Sequence, residues 1–443
     1  MKQTRHVEKR AVVVVTIAFL LAATPFTSAR AEDADAASSY SGDIFTRSTL
    51  TGDWLGLRND LAAKGVTFDA NVTQIEQGVV SGGKNGSWEY GGRGDLTGNL
   101  DTQKLGLWPG GFLTAELEGN WNQSVNFKAG SLVAVNTNQL FPLPTGNNVA
   151  LPDLSFAQFL SHYVGVLAGK VQTISQGDLN EFAHGKGDTQ FFNLAFNVNP
   201  ALLVVPYSTL AAGALVLPTA DPNEAIVKFV VASATGKAST SGFDDFNGAI
   251  FMSEGRMRTG FFGLTGHQLL GALYSNKKYT SIDQRFATII SGQRLAQRDG
   301  SWAMYYNFDQ FLYEPTKGAD QGFGVFGRFG ASSGVPVPVQ YFYSAGVGGK
   351  GMIPTRTDDQ FGLGYYYASI NNPTLQGRLF TRSFLRDEWG FEAFYDVALT
   401  PWLLLTPDLQ VVGPSQKQQF VGFRSRESIG TATILGVRLQ VVL

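Results

Sequence analysis

The chain has 443 residues, of which 44% are apolar and only 16% charged, and its formal net charge at pH 7 is −2. Soluble domains usually carry about 25% charged residues, so the composition is unusual. The 52 glycines, roughly 12% of the chain against a usual ~7%, exclude a mostly helical protein, because glycine weakens helix interiors. The 33 phenylalanines and 15 tyrosines favour β-structure and exclude intrinsic disorder. The absence of cysteine excludes disulfides, iron–sulfur clusters, thiolate zinc sites and cysteine nucleophiles.

The N-terminus has the pattern of a secretory signal peptide. A basic stretch within residues 1–10 precedes an apolar run over 11–23, which is too short to span a bilayer. Ala29-Arg30-Ala31 then matches a small-x-small cleavage site. We therefore expect a signal peptide over residues 1–31 that is cleaved after Ala31. Its loss lowers the net charge from −2 to −6, since the leader holds five basic residues and one acidic residue. This mild acidity predicts no nucleic-acid partner.

One convincing helix follows the leader. Residues 32–51 are small and polar and are typical of a flexible linker, after which Asp53 to Lys64 has helical periodicity. Asp53 is the expected N-cap and Gly65 the expected C′ residue. Trp54, Leu57 and Leu61 form one apolar stripe. We expect residues 32–65 to form a linker and a short helix.

From Val66 onward the sequence consists of short segments with a period of two, separated by turn residues. Along Thr114 to Trp121 the glutamates 116 and 118 alternate with apolar residues, and a charge-free face continues over 429–443 opposite Arg438 and Gln440. A soluble β-sandwich turns such an apolar face inward. An outer-membrane barrel turns it to lipid and keeps a polar lumen. Alternation alone permits both folds.

The export signal, the recurrence of strands up to a final strand without a tail, and aromatic clusters together favour the membrane barrel. Three clusters at segment ends are typical of the aromatic girdles of such barrels, namely Trp302/Tyr305/Tyr306, Tyr341/Phe342/Tyr343 and Tyr365/Tyr366/Tyr367. Spanning strands need about 9–11 residues, so sixteen or eighteen strands fit the length best. We therefore predict an all-β transmembrane antiparallel β-barrel over residues 66–443, with the short N-terminal helix on the periplasmic side, packed on the barrel rim. We expect the protein to lie in the outer membrane of a Gram-negative bacterium. Its chain should cross this membrane many times and contact the membrane lipid.

Four blocks of the sequence resemble the carbohydrate-selective outer-membrane porins of the OprB type. They are Leu50 to Gly83 with its Gly-Asp-Trp at 52–54, Gly169 to Pro200, Val325 to Gly364, and Glu392 to Pro414. The resemblance implies a sixteen-stranded barrel and passive uptake of sugars such as glucose. It also implies a lumen narrowed by inward loops and charged side chains. The terminal Leu443 departs from the aromatic residue that commonly ends outer-membrane proteins, which bears on assembly more than on the fold.

A pore for a neutral solute rich in hydroxyl groups needs carboxylates and cations that face each other, and aromatic faces for pyranose rings. Affinity must stay weak, because a tightly held solute blocks passage. Strand parity gives lumen-facing candidates, and two loops add others. The strand candidates are Glu116, Glu118, Lys170, Gln172, Arg328, Glu392, Asp396, Asp408, Gln410 and Arg438. The loop candidates are Asp178, Glu181, Phe182, Arg356, Asp358 and Asp359.

The sequence predicts no catalytic residue, no metal site and no cofactor. Glu116 and Glu118 lie roughly 7 Å apart on one strand, and this spacing permits glycoside hydrolysis. No other feature of the sequence supports that activity. His162 and His184 lack the spacing of a metal pair. A non-selective porin, a barrel enzyme and a secreted glycan-binding β-protein remain as alternatives to a sugar-selective porin. The sequence does not decide whether the protein is a homotrimer or a monomer.

Overall fold

The structure is a computed structural model that describes residues 40–142, 148–243, 246–316, 321–376, 381–421 and 425–443. The predicted signal peptide and the first residues of the predicted linker lie outside the described residues. No helix in these ranges is long and apolar enough to cross a membrane.

Sixteen antiparallel strands follow each other around a closed barrel, and the last strand pairs with the first, as in Thr73 opposite Gln440. This confirms the predicted antiparallel barrel, with sixteen rather than eighteen strands. The strands are β1 Val66–Gly83, β2 Trp88–Asp101, β3 Gly111–Asn122, β4 Asn148–Phe159, β5 Val164–Gln172, β6 Ser208–Val216, β7 Ala225–Ser233, β8 Ala249–Thr259, β9 Gly266–Thr280, β10 Gln297–Tyr313, β11 Gly322–Ser332, β12 Val339–Lys350, β13 Gln360–Ile370, β14 Glu388–Thr400, β15 Leu403–Gly413 and β16 Gly430–Val442.

Short elements lie in the connections between the barrel strands. Two small sheets combine Gln284–Arg285 with Thr374–Gln376 and Thr381–Ser383, and Gln418–Phe420 with Arg426–Ser428. The helical elements are Leu57–Ala63, Asn126–Ala129, Leu194–Asn197 and Phe286–Ile290, with 3₁₀ turns at Pro200–Leu202 and Phe261–Gly263.

The two ends of the barrel differ in the length of their connections. One end has short turns such as 160–163 and 401–402, and the other has long connections such as 173–207 and 281–296. Outer-membrane barrels place short turns in the periplasm and long loops outside the cell. The end with short turns, where β1 begins and β16 ends, is therefore the periplasmic end.

The N-terminal helix packs on the periplasmic rim but is shorter than predicted. It begins at Leu57, because Trp54 and Leu55 have φ of 52° and 61°, in the left-handed region that a helix cannot contain. The expected C′ glycine is present at Gly65, with φ 83° and a hydrogen bond to Ala62 O. From this helix, buried Arg58 donates to Leu443 O at 2.9 Å and to Phe68 O at 2.7 Å. These bonds tie the helix to both the first and the last strand.

Strand parity separates a polar inner face from an apolar outer face. On β3, Glu116 and Glu118 are buried inside the barrel, whereas Leu117 between them is exposed on the outside. The aromatic clusters divide by the same period. Trp302, Tyr306, Tyr341 and Tyr343 are exposed on the outer surface, whereas Tyr305, Phe342 and Tyr366 are buried within the barrel. The prediction of whole clusters as girdles was therefore wrong for the inward members, since neighbouring residues of a strand face opposite sides.

Two segments fold into the barrel and fill much of its lumen. The first inward segment, residues 123–142, and the second inward segment, residues 173–207, connect strands at the extracellular end. Aromatic residues of the second segment, among them Phe191 and Phe196, join the barrel side chains Phe326 and Tyr366 in one buried core. Glycine makes this close approach possible: a Cβ at Gly364 of β13 would lie 2.4 Å from Phe196.

Candidate constriction site

The second inward segment is fixed to one wall of the barrel by Arg328 of β11. Its Nε donates to Asp178 Oδ2 at 2.9 Å, and its two terminal nitrogens donate to Phe196 O at 3.0 Å and Ala183 O at 2.5 Å. Glu254 of β8 accepts from the backbone N–H of Asp178 at 3.0 Å. These charged groups are fully buried, and each is satisfied by a partner from the segment.

The same segment is also fixed to β14 and β16 of the wall, by Glu392 and Arg438. The Glu392 carboxylate of β14 accepts from the backbone N–H groups of Phe192 at 2.5 Å and Asn193 at 2.9 Å. The Arg438 guanidinium of β16 donates to the backbone carbonyls of residues 187, 189 and 190 at 2.8–3.0 Å. It also lies 4.5 Å from the centre of the Phe192 ring. The segment is therefore anchored across the lumen, which narrows the passage.

Lys186 lies at the tip of the segment between two glycines and reaches the wall formed by β2 and β3. Its ammonium lies 3.0 Å from Asp95 Oδ1, 2.5 Å from Glu116 Oε1 and 2.6 Å from Glu118 Oε1. The Tyr207 hydroxyl donates to Glu118 at 2.6 Å. Lys186 and Glu116 keep about a tenth of their side-chain surface accessible. Three carboxylates this close could hold a metal ion, but here the ammonium of Lys186 occupies the space between them.

Burial and neighbouring charge shift the titration of the groups in the segment. Burial favours the neutral amine of Lys186, but the three carboxylates outweigh it and hold the pKa of Lys186 well above its usual value. Burial, with a smaller contribution from Arg328, lowers the pKa of His184 to about 4. The imidazole is therefore neutral at pH 7, and its Nε2 lies 3.1 Å from Ile174 O.

A polar cavity of about 180 Å³ lies beside the second inward segment, against β12 and β13 near their periplasmic ends. Its polar walls come from Glu181 and Gln190 of the segment and from Lys350 and Gln360 of the barrel. The aromatic faces are those of Phe182, Phe311 and Phe394. Hydrogen-bonding groups and aromatic rings therefore meet in one water-accessible space.

The structure divides the predicted lumen residues into groups. Glu116 and Glu118 surround the Lys186 tip, and Glu181 and Phe182 line the polar cavity. Gln172, at the end of β5, donates to the Tyr207 hydroxyl at 3.3 Å. Asp408 and Asp396 accept from Gln410 at 2.9 Å and Thr406 at 2.7 Å. The anchors of the inward segments are Asp178, Arg328, Glu392, Gln410 and Arg438.

Two predicted positions lie away from the lumen. Lys170 shares its face of the sheet with Leu154, which is exposed on the outer surface, and its ammonium donates to Ala238 O at 2.9 Å in the extracellular connection 234–248. It therefore faces outward, in contrast to the orientation that its parity predicted. Arg356 lies in the periplasmic turn 351–359, where it pairs with Asp359, 2.5 Å away. Asp358 in the same turn is exposed.

Sequence patterns did not identify the tip residue Lys186, its partners Asp95 and Tyr207, the anchor Glu254, or the cavity residues Gln190, Lys350 and Gln360. One signal for Lys186 was available, because Gly185-Lys186-Gly187 has the form of a tight turn that presents a single charge. Both glycines have positive φ, 107° and 75°. The cavity residues Gln190, Lys350 and Gln360 have no local signature, since the cavity exists only where the segment meets the wall.

Comparison with known proteins agrees with this geometry. A family model described as carbohydrate-selective porin, OprB family, matches residues 86–443. The high-pH structure of Pseudomonas putida OprB superposes with a TM-score of 0.73 at 20% sequence identity, covering 89% of this chain and 98% of that one. The low-pH structure of the same porin has a TM-score of 0.54 at 18% identity, with the same coverage. No curated protein sequence matches. The fold is that of a transport channel of the Gram-negative outer membrane rather than of an enzyme, and the chain belongs to the OprB family of carbohydrate-selective porins.

Proposed function

We propose that this porin admits glucose-like monosaccharides by passive diffusion along the passage beside the second inward segment. The observation that carries the proposal is the polar cavity, where Glu181, Gln190, Lys350 and Gln360 face the same space as three phenylalanine rings. A monosaccharide presents hydroxyl groups around its edge and C–H groups on its faces. The cavity offers a matching set of hydrogen-bonding groups and aromatic faces.

The Lys186 tip provides a second polar surface for the same solute. Charged groups form stronger hydrogen bonds to hydroxyl groups than neutral groups do. Because the Lys186 ammonium lies among Asp95, Glu116 and Glu118, and Arg93 also pairs with Asp95 at 3.1 Å, the charges at the tip partly compensate each other and can bind the hydroxyl groups of a neutral solute. Weak binding at both places suits a channel, because a solute must leave as readily as it enters.

Liposome swelling tests the proposal directly. Proteoliposomes are diluted into isotonic glucose, galactose, maltose, or an amino acid of similar mass, and the rate of swelling is recorded. We expect the monosaccharides to enter several times faster than the amino acid and faster than the disaccharide. Equal rates for sugar and amino acid would identify a non-selective channel, and an absence of swelling would overturn the proposal.

We also propose that the exported protein begins after Ala31, as the small-x-small pattern predicts. Intact-mass measurement of protein purified from the outer membrane should give the mass of residues 32–443. Cross-linking in the native membrane would decide between the homotrimer and the monomer.

A further inference from the structure

One sector of the inner wall departs from the polar lumen that is typical of membrane barrels. On β7 the outward residues Phe229 and Val231 are exposed to lipid, yet the inward residues Ile226 and Val230 are apolar as well, and the inward Lys228 between them is paired with Glu254 at 3.0 Å. In a water-filled barrel the inward face of a strand is usually polar. The apolar inward residues of this sector are Leu167 and Val171 on β5, Ala211 and Leu215 on β6, Ile226, Val230 and Ala232 on β7, and Ile250 and Met252 on β8.

The second inward segment covers this apolar sector only in part. Against β10 to β14 the segment packs large aromatic side chains, but toward β5 to β8 it lines the cavity with the smaller or polar residues Thr173, Gln176, Gly177 and Val205. A cavity of about 80 Å³ remains between them. A second cavity of about 60 Å³ shares Val205 and Met252 with it and ends at the Phe141–Tyr207 stack. Leu167, Ala211, Val230 and Met252 point inward and are only partly buried, so the sector can be reached from the lumen.

The apolar cavity adjoins the charged tip site. Thr114 and Ser155 line the cavity, and Glu116 and Asp153 follow two residues away on the same strands and the same face. Two residues along a strand span roughly 7 Å. A ligand held at the Lys186 carboxylate cluster can therefore enter the apolar cavity at the end that Thr114 and Ser155 line.

We propose that this apolar cavity is a subsite for the aglycone of glycosides that carry a small aromatic group, with the sugar held at the Lys186 tip. The inference rests on the proposed sugar permeation and extends it to a class of amphipathic solutes. The aglycone gains free energy by leaving water for the apolar wall. Burial of about 55 Å² of ring surface at about 25 cal/mol per Å² corresponds to roughly tenfold tighter binding.

The test compares phenyl β-glucoside with methyl β-glucoside as blockers of ion conductance through the purified porin in planar bilayers. Wild-type protein should be half-blocked at about a tenfold lower concentration of the phenyl glycoside. Ala211→Phe fills the cavity and should bring the ratio of the two half-blocking concentrations close to one. Val230→Thr keeps the side-chain volume but makes the wall polar, and it should also lower the ratio. This variant tests the proposal even if Ala211→Phe prevents assembly. Ala212→Phe is the matched control, because Ala212 is exposed on the outer surface, and it should keep the wild-type ratio.

The outcomes separate the two proposals. A wild-type ratio near one, or a high ratio that neither cavity variant lowers, would overturn the aglycone subsite even if both glycosides block. An absence of block and of permeation by methyl glucoside and glucose would instead overturn the proposed sugar permeation. In that case a block by phenyl glucoside alone that Ala211→Phe removes would still support the apolar subsite.

Discussion

Arg328 Nε lies 2.9 Å from Asp178 Oδ2, and both side chains are almost completely inaccessible to solvent. This bond joins the barrel wall to a segment 150 residues earlier in the chain. It belongs to a set of buried charges that point into the lumen yet bind the backbone of the inward segment.

Arg328→Met should release one side of the second inward segment. Removal of one partner of a buried ion pair costs about 3–5 kcal/mol, because the other charge remains buried without compensation. We expect a larger single-channel conductance and weaker block by glucose, measured in planar bilayers. Arg356→Met serves as control, since that ion pair lies at the rim and the arginine is 39% exposed. Identical conductance of the Arg328 variant and wild type would show that the segment does not depend on this anchor.

Lys186→Met should make the channel more selective for cations. The substitution removes the single ammonium among Asp95, Glu116 and Glu118 and leaves their negative charge facing the passage. The reversal potential across a salt gradient should then indicate a severalfold higher preference for cations. Lys278→Met, at an extracellular position where the side chain is 70% exposed, should leave the reversal potential unchanged. If the Lys186 variant keeps the wild-type reversal potential, the carboxylate cluster does not lie on the path of the ions.

Gln360→Leu should weaken sugar binding in the polar cavity while the barrel remains intact. The loss of one hydrogen bond costs about 1 kcal/mol, so the half-blocking concentration of glucose should rise about fivefold. The matched control is Gln268→Leu, which changes the same residue type on the outer surface beside the exposed Met257. If both variants bind glucose like wild type, the cavity is not on the sugar path.

Acid should loosen the second inward segment through His184. The pKa of this imidazole is lowered from 6.5 to about 4, chiefly by burial, so the folded segment favours the neutral form. Its contribution to stability is complete above pH 6.5 and decreases as the pH falls toward 4. Conductance should stay constant from pH 8 to about 6.5 and increase below that range. His184→Gln should reduce this increase, and His162→Gln, in an exposed periplasmic turn, should not.

The sequence predicted the barrel well because its signal is local. The period of two over residues such as Glu116, Leu117 and Glu118 fixes which face of a strand meets lipid, and it needs no knowledge of the neighbouring strand. The same reasoning failed at Lys170, where a connection from elsewhere in the chain covers the outer surface. It also placed the start of the first helix too early, because nothing in the pattern shows that Trp54 and Leu55 adopt positive φ.

The sequence by itself determined the barrel fold, the family resemblance, which implies sixteen strands, and the inward orientation of most charged residues. Only the tertiary structure decided what those charges do. Arg328, Glu392 and Arg438 bind backbone groups of residues 178–196, and that pairing depends on how a long connection folds back into the lumen. The Lys186 cluster, the polar cavity and the apolar cavity likewise arise where the segment meets distant strands. No periodicity within a strand encodes such contacts, because they join residues that are far apart in the chain.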